Sequence, residues 1–186
     1  MKNTAIIFVF IGILFLGSII FGFIYLPKMA DASGIDNQDI ELSMPIDSTL
    51  MRYSRDGVIP FCLNNSNGID IQVKEGAAVF APISGIISNI YSETARVVIQ
   101  PSSKVLVHVK GVKDLNYKEG DYVMKGDIIG YTSSENLGLI LENLKNERYE
   151  CPFLYMDENA KGIISNALKY STYSSENICG CPSINY

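Results

Sequence analysis

Three hydrophobic patterns follow one another along the chain. Residues Thr4–Leu26 form an apolar run with no charged residue. It is longer than the ~20 residues that cross a bilayer as a helix. Between Val58 and Asn143 short apolar stretches alternate with polar residues and are broken by Gly, Pro and Asn. That pattern predicts strands. The alternation is cleanest in Ile69-Asp70-Ile71-Gln72-Val73, and Val105-Leu106-Val107-His108-Val109 is apolar enough to be a central strand. Further strands are predicted at Val58–Cys62, Ala77–Ala81, Gly85–Tyr91, Ala95–Ile99, Tyr122–Val123, Asp127–Thr132 and Leu137–Asn143. After Tyr155 the period changes: Ala160, Ile163, Ile164 and Leu168 fall on one helical face, with Asp157 placed to cap it.

The middle of the chain repeats itself. Gly76 and Gly120 are each followed, after two intervening residues, by Val79 or Val123, after which come Gly85 or Gly126 and a second apolar run. Glycines at tight reversals flanked by β-branched residues predict an all-β sandwich or barrel built from two similar hairpin halves, with Gly85 and Gly126 as turn residues.

These patterns divide the chain into residues 1–3, a short cytoplasmic end; 4–26, a transmembrane anchor; 27–47, a polar acidic linker; 48–156, the β domain; and 157–186, a helix with a Ser/Tyr-rich tail. Ala30-Asp31-Ala32 resembles a cleavage site, but the apolar run exceeds the roughly 7–15 residues of a signal peptide, so an uncleaved anchor is expected. Lys2 and Lys28 flank the span and leave its orientation open.

Composition narrows the function classes. The formal net charge is −5 and the pI about 4.9, which argues against a nucleic-acid partner. The chain has no phosphate-cradling Gly-rich loop with Lys, and its single histidine leaves no room for a Ser/His/Asp triad. Lys110, Lys113, Lys118 and Lys125 read as solvated residues near turns. Asn64-Asn65-Ser66 is a glycosylation sequon, meaningful only in a eukaryotic or viral source.

The four cysteines are Cys62, Cys151, Cys179 and Cys181. An even number behind a membrane span points to an oxidising exterior and two disulfides, among three possible pairings. A bridge within Cys179-Gly180-Cys181 is strained, so Cys62 and Cys151 are each expected to pair with one tail cysteine. That arrangement puts the domain on the extracytoplasmic side and the N-terminus in the cytoplasm. A four-cysteine zinc site is the competing reading, although structural zinc favours pairs spaced by two to four residues. Free thiols are the third.

Several blocks together resemble the lysostaphin-type (LytM-like) zinc peptidases of peptidoglycan. They are Gly68-Ile69-Asp70, then Glu75–Gly85 (EGAAVFAPISG), then Lys118–Gly130 (KEGDYVMKGDIIG). The family's pattern runs H-x-G-x-D, G-x-x-V-x-A-P-x-x-G, Y-x-H, G-D-x-V-x-x-G-x-x-I-G and H-x-H-F-E. The match covers roughly Pro60 to Tyr155 in order. The resemblance implies a duplicated hybrid motif, or barrel-sandwich, β domain. The same fold serves glucose-type IIA phosphocarrier domains, and Val105–Val109 is similar to their phosphoryl-histidine strand, but the partner histidine strand has no match.

The departures concern the metal. In the family, zinc is held by the His and Asp of H-x-G-x-D and by the second His of H-x-H. Here Ser66 stands at the first position, Asp70 is kept, and the H-x-H-F-E segment aligns with Gly138-Leu139-Ile140-Leu141-Glu142. His108 matches the family's Y-x-H histidine only if the following loop is longer here; otherwise Gly111 does. Asp70 reads as a structural residue and His108 as a satisfied buried histidine. The resemblance therefore implies a degenerate member with no catalytic residue, no metal and no cofactor. Its vestigial groove consists of Ser66, Asp70, His108, Gly138, Ile140 and Glu142. The expected role is a membrane-anchored scaffold or regulator that binds envelope or virion proteins through that groove, with peptidoglycan as a further partner. Two other readings stay open: an active peptidoglycan endopeptidase with a rearranged site, and a structural membrane protein of a large DNA virus particle.

Overall fold

The structure is a computed structural model that describes residues 40–61, 63, 67–145, 147–171, 173 and 177–180. The chain divides into two units, Met1–Gln38 and Asp39–Tyr186. The expected anchor at Thr4–Leu26, together with Cys62, Ser66 and Cys181, lies outside the described residues. Among the described residues no helix is long and apolar enough to cross a membrane.

The second unit is mostly β-sheet with one helix. Its strands are β1 (Val58–Ile59), β2 (Ile69–Gln72), β3 (Ala78–Phe80), β4 (Gly85–Tyr91), β5 (Arg96–Ser102), β6 (Val105–Lys110), β7 (Val112–Lys113), β8 (Tyr122–Val123), β9 (Ile128–Thr132), β10 (Asn136–Asn143) and β11 (Arg148–Glu150). Helix α1 spans Glu158–Leu168. The large sheet runs β1-β2-β10-β6-β5-β4-β8, with β11 on β10, and a three-stranded sheet runs β3-β9-β7. Strand β6 is central, as its apolar run predicts. Alternate residues of the large sheet (Ile69, Ile71, Val97, Ile99, Val107, Val109, Leu137, Leu139, Leu141) and Val79, Val112 and Ile129 of the small sheet share one core. The two sheets thus bury one face each in the manner of a sandwich.

The internal repeat is visible as two interlocked halves. The Gly76 N–H donates to Thr132 O (3.1 Å) and the Thr132 N–H to Ala77 O (2.8 Å). In the other half Gly120 N–H donates to Ile87 O and Ile87 N–H to Asp121 O, both at 2.8 Å. Gly76 and Gly120 have φ of +73° and +89°, the left-handed region that favours glycine at such reversals. Gly85 differs from the turn role expected of it. It opens β4, and a Cβ there would lie 2.7 Å from Gln100 O and 2.9 Å from an Ile99 methyl. It is small because two strands pack closely, not because the chain reverses.

Several boundaries also differ from the sequence pattern. Residues 40–47 of the expected linker lie against the β domain: Leu42, Met44 and Ile46 are in the core. Leu42 exchanges backbone bonds with Tyr155 O (2.7 Å) and Asp157 N–H (2.8 Å). Strands β7 and β11 appear where the pattern predicts none. Helix α1 starts at the expected cap, with Ala160 N–H donating to Asp157 Oδ1 at 2.7 Å, and buries Ala160, Ile164, Ala167 and Leu168.

Cys151 and Cys179 form a disulfide, with Cα atoms 5.5 Å apart. It fixes the tail beside Ile178, which is 1 % exposed and whose carbonyl accepts from Phe61 N–H at 3.0 Å. One of the two expected body-to-tail bridges is therefore formed by these residues.

Candidate functional site

The strand register builds the site. Residues whose neighbours face the core point to the opposite, outer face of the large sheet. On β10 these are Gly138, Ile140 and Glu142; on β6, Leu106, His108 and Lys110; on β2, Asp70; on β5, Arg96 and Val98. Pairing aligns them in rows. One row runs Asp70, Gly138, Lys110, Arg96 and Tyr91 from β2 to β4. The next runs Ile140, His108 and Val98. The structure thus places Asp70, His108, Gly138, Ile140 and Glu142 on one face, and adds Arg96, Lys110 and Tyr91.

His108 is 6 % exposed and Ile140 7 %. His108 Nε2 lies 2.9 Å from Glu142 Oε2. Burial holds the imidazole below its ordinary value; the hydrogen bond and charge of Glu142 act against this, and Arg96 adds to it. A neutral imidazole beside a carboxylate donates through Nε2, which leaves Nδ1 as an acceptor. Nδ1 is buried and has no partner, so His108 is only half satisfied, contrary to its reading as a satisfied core residue.

Asp70 packs over Gly138. A Cβ on Gly138 would meet Asp70 Oδ1 at 2.6 Å and Lys110 Cβ at 3.2 Å. The space a side chain at 138 needs is taken by the neighbouring carboxylate and the lysine stem.

Lys110 closes β6 beside Gly111, whose φ is +82°, and is half-buried in the row instead of fully solvated. It lies directly opposite Arg96. Arg96 Cζ stands 4.2 Å from the Tyr91 ring centroid, and its buried Nε has no partner. The sequence held one usable signal for Lys110, its i+2 spacing from His108. Arg96 and Tyr91 carry no signal until the register is known.

The donor set does not fit the zinc of the resembled family. Ile140 offers no lone pair and Gly138 no side chain, while His108 and Glu142 bond one another. Among the described residues no group of three or more His, Cys, Asp or Glu converges in a way that could hold a metal.

Solved structures share this two-sheet β fold. The chain resembles Csd3 from Helicobacter pylori with a TM-score of 0.50 at 20 % identity, covering 63 % of this chain and 33 % of that one. A peptidase M23 from Pseudomonas aeruginosa aligns with a TM-score of 0.52 at 16 % identity, covering 67 % and 53 %. This chain therefore spans between a third and about half of those proteins. No curated protein matches it. The family model for peptidase family M23 matches residues 64–147. Those residues, a little under half of the chain, resemble that family.

Proposed function

We propose that the protein is a membrane-anchored M23 domain that no longer hydrolyses and acts by binding other proteins of an envelope or virion through its outer sheet face. One observation carries this reading: Gly138 and Ile140 stand where the family pattern has H-x-H, and the remaining groups are tied up, Asp70 over Gly138 and His108 with Glu142. Hydrolysis by the family's route needs a metal-activated water, and a catalytic zinc needs three protein donors with one open position. An apolar residue in the row makes a face suited to packing against a partner. The Thr4–Leu26 run places the domain at a membrane in this reading, and the Cys151–Cys179 bridge accords with an oxidising, extracytoplasmic location.

The test has two arms on the full chain in detergent. Elemental mass spectrometry after zinc loading and dialysis is expected to find no retained zinc, and digestion assays no cleavage of peptidoglycan. Cross-linking in the source membrane is expected to capture a partner that Ile140→Arg no longer captures. About one zinc per chain, lost on Asp70→Ala or His108→Ala, overturns the non-hydrolysing part. Undiminished capture by a folded Ile140→Arg overturns the docking part.

A further inference from the structure

Arg96 and Lys110 are an unusual pair for a sheet surface. They are direct cross-strand partners on β5 and β6, where like charges repel and destabilise the pairing. Arg52, Lys113, Lys125, Arg148 and Lys161 each pair with a carboxylate, yet among the described residues neither Arg96 nor Lys110 makes an ion pair. The two carboxylates of this face are not ion-paired to them. Glu142 is bonded to His108, and Asp70 Oδ1 lies over Gly138 against the Lys110 stem without an ion pair to its ammonium. Arg96 is held in place by the Tyr91 ring, which stays 42 % exposed at the rim, while its Nε is buried without an acceptor. The adjoining row holds a second unanswered group, the buried Nδ1 of His108.

We infer that Arg96 and Lys110 form a carboxylate-binding site, with Tyr91 as its rim, that receives an acidic segment of a partner polypeptide. This rests on the docking reading above and names the chemistry of its partner. A carboxylate between the two cations removes their repulsion and gives the guanidinium the fork-shaped acceptor it lacks. A polypeptide segment supplies such carboxylates from Asp and Glu side chains, and the half-exposed Tyr91 ring at the rim offers an apolar surface to the residues beside them. The charge complementarity is local, since the chain as a whole is acidic at −5 and does not attract anions by its net field.

The single histidine makes the test direct, because the ring gives one set of signals. The full chain in zwitterionic detergent, labelled with ¹⁵N-histidine, is titrated with end-blocked tetraglutamate, with end-blocked tetraglutamine and with sodium acetate. The expected result is a saturable shift of the His108 ring signal and binding of tetraglutamate at least about tenfold tighter than tetraglutamine, the size of one charge-assisted contact. Arg96→Gln and Lys110→Gln each weaken tetraglutamate by a similar factor. Lys113→Gln, whose lysine pairs with Glu75 at 3.6 Å on the small sheet, leaves it unchanged. Arg96→Lys, which keeps the charge, retains part of the binding and guards against misfolding of the glutamine variant. Equal affinity for both peptides, or an equal loss in Lys113→Gln, overturns the site. Acetate binding as tightly as the peptide keeps the carboxylate chemistry but overturns the polypeptide as its source. Failure of the docking reading is separable: Ile140→Arg would then leave partner capture intact while the peptide titration still depends on Arg96 and Lys110.

Discussion

His108 and Glu142 meet diagonally across β6 and β10, Nε2 to Oε2 at 2.9 Å, on the outer face of the large sheet. The contact makes the only histidine of the chain a reporter of folding as well as of binding. Its native value is lowered from 6.5, chiefly by burial. Between that lowered value and 6.5 the unfolded chain binds more protons than the native one, so stability falls as the pH drops through this window. Glu150 acts elsewhere on the scale. Its carboxyl is held low first by the Tyr155 hydroxyl, so its contribution is present above 4.5 and is lost only as the pH falls below that. Urea midpoints measured at pH 7 and pH 5 are expected to fall on acidification, with His108→Gln reducing the difference. An unchanged difference in His108→Gln would show that other groups set it.

Gly138 is constrained by contact and not by its backbone angle. Gly138→Ala places a Cβ 2.6 Å from Asp70 Oδ1, so one strand or the carboxylate must move. The expected cost is about 1–3 kcal/mol, the usual range for overpacking. Asp70→Ala removes the obstructing oxygen, so the double variant is expected to lose less than the sum of the singles. Additive losses in urea denaturation would place the strain elsewhere.

The element pattern was legible where side chains alone decide it. Asp157 ahead of an apolar 3.6-period stretch marks the start of α1, and the valines at 105, 107 and 109 mark a buried central strand. The acidic stretch before Ser48 hid a second signal: Leu42, Met44 and Ile46 alternate with Ser43 and Pro45, a period of two that a reading by polarity passes over. Strand β11, Arg-Tyr-Glu, lacks alternation because it is mostly exposed and is held by its pairing with β10. The outer-face rows are set by register. Arg96 is 14 residues from Lys110 in sequence, and nothing local says that they face each other. The same is true of Asp70 over Gly138.

Thr132 is a fully buried polar residue whose hydroxyl joins the two ends of the Gly76 reversal. It accepts from Ala77 N–H at 2.9 Å and donates to Lys74 O at 2.8 Å. Thr132→Val keeps the shape and removes both bonds, leaving Ala77 N–H and Lys74 O only their 3.4 Å bond to each other. A loss of about 1–2 kcal/mol is expected in chemical denaturation. Thr132→Ser, which retains the hydroxyl, is expected to lose clearly less; equal losses would show that packing of the methyl group matters as much as the hydroxyl bonds.

The Cys151–Cys179 bridge closes a loop across a sequence separation of 28. Chain-entropy reasoning assigns such a loop about 3–4 kcal/mol, since it limits the unfolded ensemble. Cys179→Ser is expected to lower stability by an amount of this order and to expose the region around Ile178 to proteolysis. A loss well under 1 kcal/mol would mean that Ile178 and its backbone bond to Phe61 hold the tail unaided.

Restoring donors tests whether residue identity alone ended metal binding. Ser66→His with Ile140→His supplies the two positions at which the family pattern carries zinc-ligating histidines, and Asp70 is already present. If donor identity is what was lost, this variant is expected to retain about one zinc per chain under conditions where the parent chain retains none, and Asp70→Ala in the same background abolishes it. Ile140→His alone is expected to retain less, because one histidine and one carboxylate leave the coordination incomplete. A folded double variant without zinc would point instead to position, with Asp70 held over Gly138 by close contact. Widening that space would then have to come before any metal returns.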